Sequence, residues 1–118
     1  MREPSYYVVL ATDNPGMAQI RQQVRPVHRD YLRRQSHVRI FSAGPLLDED
    51  AAMNGTFALC GASSRDCVER FVADDPYSQS CLFAEVIIRR LNWTLRNPPQ
   101  TQSDTAPPGD DFDVARGD

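Results

Sequence analysis

Hydrophobic positions change from strand to helix periodicity along the first part of the chain, and this change predicts two elements. Tyr6–Ala11 is an aromatic and β-branched run bounded by Asp13-Asn14-Pro15-Gly16, which predicts a buried strand and a turn. The next residues, 15–35, place their apolar side chains within one arc of about 80° at helical spacing: Met17, Ile20, Val24, Val27 and Tyr31. The pattern predicts a first helix that begins at Pro15, is capped by Asp13 or Asn14, and packs this arc against a core.

The remaining periodicity predicts a hairpin, a second helix and a last strand. Val38–Ala43, ending at Gly44-Pro45, and Thr56–Cys60 are expected to pair across the polar turn of residues 48–55. Ser63 and Asp66 resemble a capping box, so a second helix should follow and end near Asp74. Residues 82–91 are again β-branched and apolar, and residues 77–81 are expected to be their connection.

The predicted order β-α-β-β-α-β is that of a ferredoxin-like α+β subunit, with both helices on one face of an antiparallel sheet. The other sheet face needs cover. About 95 structured residues cannot supply a third layer. We therefore expect a homodimer in which two subunits pack their open sheet faces together.

Composition limits the possible partners. The chain has 118 residues with 13 basic residues, all of them Arg, and 16 acidic ones, for a net charge of −3. This charge gives no reason to expect a nucleic-acid partner. No apolar run approaches the ~18 residues of a membrane span, and no signal-peptide core follows the N-terminus. We expect a cytoplasmic protein without a membrane partner, built from one domain, residues 1–96, and a flexible, acidic, proline-rich tail, residues 97–118.

The three cysteines, Cys60, Cys67 and Cys81, are spaced 7 and 14 residues apart. This spacing matches neither a disulfide framework nor a C-x-x-C metal or redox motif. We expect buried free thiols without a part in function.

One flank of the first helix carries candidate chemistry. At 100° per residue, Arg21 lies about 20° and Arg25 about 60° from His28, so the three share that flank. An imidazole beside guanidinium groups is typical of a site for an anionic substrate. The alternative is that both arginines are solvated and that His28 only packs the helix.

Two further positions have a structural and a functional interpretation. Asp75 precedes Pro76 and is either part of an Asp-Pro turn or a carboxylate that orients His28; Asp74 is its natural control. Ser42 lies two residues before Gly44, so it either binds a polar substrate or is an ordinary strand residue. Nucleotide-binding, serine-hydrolase and zinc motifs do not occur in the sequence.

These motifs together resemble the YCII-related family over about residues 6–93. They are Arg21-x-x-x-Arg25-x-x-His28, Ser42-Ala43-Gly44-Pro45, Gly55 and Asp75-Pro76-Tyr77. The resemblance implies a ferredoxin-like subunit, a dimeric α/β barrel and a catalytic His-Asp pair, here His28 and Asp75. Family members often carry Gly where this chain has Cys81, a change we expect to reshape the pocket wall.

The resemblance also implies an activity that needs no cofactor or metal. The best-described reaction of the family is dehydrochlorination of a chlorinated hydroxyhydroquinone to a hydroxyquinone, and the structurally similar muconolactone isomerases move protons on small cyclic acids. Our hypothesis is a lyase or isomerase acting on a small phenolic or anionic ring. His28 and Asp75 would transfer the proton, and the substrate would be bound by Arg21, Arg25, Ser42, Gly44, Pro45 and Tyr77.

Two other interpretations of the sequence stay open. The same pocket suits a regulatory module that binds a small anionic metabolite without turnover. The acidic tail suits an accessory subunit that docks a basic partner.

Overall fold

The computed structural model describes residues 4–34 and 36–96 of the chain. Its four strands are β1 (Ser5–Asp13), β2 (Arg39–Leu47), β3 (Met53–Ala62) and β4 (Phe83–Leu91). Its three helices are α1 (Ala18–Arg33), α2 (Arg65–Ala73) and α3 (Pro76–Gln79). The tail that was expected to be flexible lies outside the described residues.

The four strands form one antiparallel sheet in the order β2-β3-β1-β4. This order confirms the predicted ferredoxin-like α+β fold, including the β2–β3 hairpin. Strand β2 is longer than expected because it continues through Gly44 and Pro45 instead of ending there. Pro45 is tolerated because β2 is an edge strand, where a missing amide donor does not break an interior ladder.

The start of α1 was predicted wrongly. The helix begins at Ala18, and its N-cap residue, Met17, makes no side-chain capping bond. Gly16 adopts φ of 76°, a left-handed conformation that favours glycine, so the helix begins three residues later than the pattern indicated. Asp13 and Asn14 therefore do not cap the helix. The side-chain amide of Asn14 donates instead to the Cys81 carbonyl at 3.2 Å.

The direction in which α1 faces the sheet also differs from the prediction. Its buried residues are Arg21 and His28, whereas Val27, from the apolar arc, is 54% exposed. The helix is thus rotated so that the polar flank faces inward. Because burying charged and polar side chains is costly unless they are paired, this orientation requires hydrogen-bonding partners for both side chains.

The core lies between the sheet and the helices. Side chains alternate along each strand, and the row Ala58, Val9 and Ile88 crosses three strands on the buried face. Val68 of α2 covers this face and is fully buried. The opposite face carries the row Phe57, Leu10 and Ile87, of which Leu10 is 37% and Ile87 is 40% exposed.

The second helical region contains one unexpected element. Ser64, not Ser63, caps α2 by accepting a bond from the Cys67 amide. Residues 76–79, expected to be part of a connection, form the short helix α3. It packs on α1, and this contact brings the end of the second helical region to the polar flank of α1.

The expectation for the thiols holds in part. All three cysteines are free, but only Cys60 is buried, and Cys81 is exposed. Burial raises the pKa of Cys60 to about 11, so this thiol stays protonated and unreactive at neutral pH. Across residues 4–34 and 36–96, no helix has the length and apolarity of a membrane span.

Candidate active site

His28 of α1 and Asp75, the N-cap of α3, form a buried pair. His28 Nδ1 lies 2.8 Å from Asp75 Oδ1, and both side chains are more than nine-tenths buried. An ionised carboxylate can only accept hydrogen bonds, so this contact places the ring proton on Nδ1. The other ring nitrogen, Nε2, is left to give or take a proton.

Asp75 is held in place from its other side. The same Oδ1 accepts the backbone amide of Tyr77 at 2.8 Å and so caps α3. The Asp-Pro turn and the contact with His28 are therefore two properties of one carboxylate. The cap fixes the carboxylate, and the carboxylate fixes the imidazole.

Tyr77 connects this pair to an arginine. Its ring is buried and stacks on the His28 ring at 3.9 Å between centroids and 16° between planes. The guanidinium carbon of Arg21 lies 4.6 Å from the centroid of the same ring. Burial raises the pKa of Tyr77, and the charges of Arg21 and Arg25 partly offset this effect. The phenol is consequently a neutral hydrogen-bond donor at neutral pH.

Arg21 is one of the most buried polar residues, at 2% exposure. It donates to both carboxylate oxygens of Asp13, from Nε at 2.7 Å and from Nη2 at 3.0 Å. It also donates from Nη2 to Thr56 Oγ1 at 2.8 Å and from Nη1 to the Tyr77 hydroxyl at 3.4 Å. A charge at this depth is tolerated because it is paired and hydrogen-bonded.

These side chains line a cavity of about 90 Å³ between α1 and the edge of the sheet. It is smaller than the ~300–1,000 Å³ pockets of drug-sized ligands, so it suits a small molecule. Helix α1 supplies an arginine-rich wall, and the strands and α3 supply the rest: Arg21, Arg25, His28, Arg29 and Leu32 from α1, with Ala43, Gly44, Pro45, Thr56 and Tyr77 opposite. A small anion is the ligand that such a wall favours.

The structure brings most of the predicted site residues to this cavity. His28, Arg21, Arg25 and Tyr77 line it, as do Gly44 and Pro45, and Asp75 lies directly behind His28.

Ser42 and Cys81 lie elsewhere. Ser42 is exposed and pairs with Leu59 on the open sheet face, outside the residues that line the cavity. Cys81 is exposed and does not line the cavity either, so the expectation that it reshapes the pocket wall is wrong.

Sequence reasoning missed three polar residues of the site. Thr56 alternates with Ala58 and Cys60 along β3 and therefore faces the helices, a pattern that the sequence contains. Arg29 directly follows His28 and is turned about 100° from it on an ideal helix, outside the predicted flank, yet it lines the cavity. Asp13 was interpreted as a helix cap, but it forms an ion pair with Arg21. The signal in the sequence was the opposite charge of these two residues, which lie on either side of one turn.

The fold and the buried His-Asp pair define an α+β protein with a small, arginine-lined cavity between a helix and the sheet. Residues 5–92 match the YCII-related domain, and the chain belongs to this family. The family resemblance of the sequence motifs is thereby confirmed.

A solved relative is similar over nearly its whole length. It is 5-chloro-2-hydroxyhydroquinone dehydrochlorinase (TftG) from Burkholderia phenoliruptrix AC1100, in complex with 2,5-dihydroxybenzoquinone. The identity is 31% and the TM-score is 0.69, over 79% of this chain and 99% of that chain. No curated protein matches the chain. The family and this relative support an enzyme that processes a small molecule.

More distant structures show the fold alone. One is SnoaB, a cofactor-independent oxygenase from Streptomyces nogalater, with 15% identity and a TM-score of 0.52 over 80% of this chain and 100% of that chain. Another is a NIPSNAP-like domain protein from Burkholderia xenovorans, with 16% identity and a TM-score of 0.52 over 84% of this chain and 92% of that chain.

Proposed function

We propose that this protein is a cofactor-independent lyase or isomerase that transfers protons on a small phenolic or anionic ring. Its most specific reaction is dehydrochlorination of a chlorinated hydroxyhydroquinone to a hydroxyquinone. The observation that carries the proposal is the 2.8 Å contact of His28 Nδ1 with Asp75, which leaves Nε2 available at an arginine-lined cavity. Similarity to TftG, an enzyme named for this reaction, supports the substrate class.

The reaction is a set of proton transfers followed by loss of halide. Two hydroxyl protons leave the substrate, and one proton is added to the carbon that bears chlorine. That carbon then releases chloride with its bonding electron pair, so the net loss is HCl and a quinone forms. His28 takes the first hydroxyl proton at Nε2 and returns it to the ring carbon. As chloride leaves, His28 takes the second hydroxyl proton and then releases it to solvent, and Asp75 stabilises the imidazolium each time it forms.

Negative charge that develops on the ring oxygens needs fixed hydrogen-bond donors. In this proposal Arg21 holds the oxyanion, and Arg25, on the same wall, contributes charge. The Tyr77 hydroxyl is a further donor, since burial keeps it protonated. Gly44 and Pro45 form the opposite wall and limit the size of the ring. Ser42 is left out of the proposed site, because it lies on the open sheet face and does not line the cavity.

We also propose that the active protein is a homodimer in which the open sheet faces pack together. Phe57, Leu10 and Ile87 form an apolar row across this face, and such a row needs cover. Leu10→Glu would place a charge in the middle of that interface. Light scattering coupled to gel filtration should give twice the mass of one chain for the wild type and a monomer for this variant. A monomeric wild type would overturn the dimer.

The activity is tested by anaerobic absorbance assays with chlorinated and unchlorinated hydroxyhydroquinones, recording chloride release in parallel. His28→Ala should lower kcat by about 10²- to 10⁴-fold, the usual contribution of a general acid or base. His37→Ala removes the other, exposed histidine and is the matched control, with wild-type turnover. Titration with 2,5-dihydroxybenzoquinone reports binding separately. Binding without turnover by the wild type would refute the proposed enzyme and favour the regulatory module that only binds a small anionic metabolite.

A further inference from the structure

Among the described residues, Asp13 is the one carboxylate beside the cavity that the proposed mechanism does not use. It lies at the end of β1, where the register between β1 and β4 shifts after Thr12. Such an irregularity re-aims the side chain that follows it. Asp13 does not line the cavity, and its side chain is 6% exposed.

Its contact with Arg21 fixes the guanidinium in orientation as well as in position. Nε and Nη2 each donate to one oxygen of Asp13, at 2.7 and 3.0 Å, so the two planar groups are aligned edge to edge. Thr56 Oγ1 accepts a further bond from Nη2 at 2.8 Å. One edge of the guanidinium is therefore fully used, and Nη1 is turned to the Tyr77 hydroxyl.

We infer that Asp13 is a positioning residue for catalysis, which acts through Arg21 and, with Thr56, aims Nη1 at the developing oxyanion. The inference rests on the proposed function of the cavity. A buried, paired guanidinium does not reorient when substrate enters, so its geometry is set in advance. Asp13 also compensates the charge of Arg21, so that the guanidinium can stay buried beside the cavity before the substrate enters.

A purely structural ion pair would predict something different. If the pair only stabilised the fold, its loss would lower thermal stability and leave the kinetic constants of the folded protein unchanged. If Asp13 aims Arg21, kcat of the folded variant falls by a larger factor than its KM rises. The chain offers a matched control, Glu69, which pairs with Arg65 at 2.9 Å with both side chains about half exposed.

The first test is independent of activity. In the wild type, the buried Nε–H of Arg21, which donates to Asp13 at 2.7 Å, should give a slowly exchanging signal in a ¹⁵N NMR spectrum, assigned by its absence from Arg21→Gln. Asp13→Asn should broaden or remove this signal, and Glu69→Gln should leave it in place. An unchanged Arg21 signal in Asp13→Asn would overturn the inference, whether or not the proposed reaction is found.

The second test is a double-variant cycle on the dehydrochlorination assay. Asp13→Asn should lower kcat by about 10²-fold, the scale expected from misplacing a catalytic group. In an Arg21→Gln background the same substitution should change kcat by less than about twofold, because its effect passes through Arg21. A full effect of Asp13→Asn in that background would refute the inference. If the wild type has no turnover, the proposed function fails, and the NMR signal still decides whether Asp13 holds Arg21.

Asp13→Asn leaves Arg21 buried without a counter-charge and can fail to fold. In that case Thr56→Val is the test variant, since this substitution removes one neutral acceptor from Arg21 Nη2 with little change of side-chain shape. It should lower kcat by about 3- to 10-fold, the loss of one positioning bond. It should keep a KM within about twofold of wild type, since in this proposal the lost bond acts on the orientation of Arg21 and not on substrate binding. A wild-type kcat in folded Thr56→Val would contradict the proposed network.

Discussion

Asp74 and Asp75 are adjacent in the chain, but only Asp75 is buried and lies 2.8 Å from His28 Nδ1. Asp74 is the exposed C-cap residue of α2. Substituting each of them in turn therefore separates the effect of a charge at the end of a helix from the effect of contact with the imidazole.

Asp75→Asn should lower kcat by about 10²- to 10⁴-fold, because a neutral amide no longer stabilises the imidazolium that forms when Nε2 takes a proton. The amide oxygen can take the position of Oδ1 and still cap α3, so the variant should fold. Asp74→Asn is the control and should keep kcat within about twofold, as expected for an exposed residue. Steady-state kinetics of the two variants decides the matter: equal losses would show that Asp75 acts only at the helix terminus.

Gly55→Ala should lower the free energy of unfolding by about 1–3 kcal/mol, the range for overpacking. A Cβ at this position would lie 2.6 Å from the Ala11 carbonyl oxygen, so the backbone of β1 or β3 has to move.

Gly44→Ala is the matched control, since its Cβ would meet no atom within 4 Å. It should be neutral or slightly stabilising, because alanine restricts the unfolded chain. Urea unfolding of both variants measures the difference, and equal stability of the two would contradict the crowding at Gly55.

Cys81→Gly should raise the free energy of unfolding by about 0.5–1 kcal/mol. Cys81 has φ of 60°, and its amide and that of Leu82 bond back to the Ser78 and Tyr77 carbonyls, which is a Schellman ending for α3. Glycine adopts this left-handed conformation without a steric penalty. Cys81→Ala, which keeps the strain and removes the thiol, should leave the thermal midpoint unchanged. A gain in Cys81→Ala as large as in Cys81→Gly would point to the thiol instead.

Ionisation of Tyr31 should lower the stability of the protein at alkaline pH. Burial and the charges of Asp75 and Asp74 raise the pKa of Tyr31 to about 12 from an ordinary value of 10.0. Between these two values the unfolded chain has lost the phenol proton and the folded one has kept it. The unfolded state therefore binds fewer protons, and the stability contribution of Tyr31, complete below pH 10.0, falls as the pH rises toward 12.

Tyr31→Phe isolates this effect from other groups. At neutral pH the variant should lose about 0.5–1.5 kcal/mol, since the hydroxyl no longer donates to the Phe71 carbonyl, a bond of 2.7 Å in the wild type. Above pH 10 the difference between the two proteins should shrink. Denaturant unfolding at several pH values measures it, and a difference that stays constant or grows would refute the assigned shift.

Local patterns in the sequence determined the fold to a large extent. Alternating and helical periodicities reflect side-chain directions that repeat over a few residues, so they predicted strand order and both longer helices. The spacing of Arg21, Arg25 and His28 is by itself enough to put them on one flank of a helix, for the same geometric reason. Their roles in catalysis stay predictions, together with those of Asp75 and Tyr77.

Only the tertiary structure decided what covers that flank. Periodicity gives the angle of a side chain on its own helix but not which way the helix is turned. In α1 the paired Arg21 and His28 face inward, and Val27 faces outward. The pairing of His28 with Asp75, 47 residues away, and of Arg21 with Asp13 depends on how separate elements pack. Because buried charges are stable only with their partners in place, the packing selects the site residues, and the local sequence only makes them available.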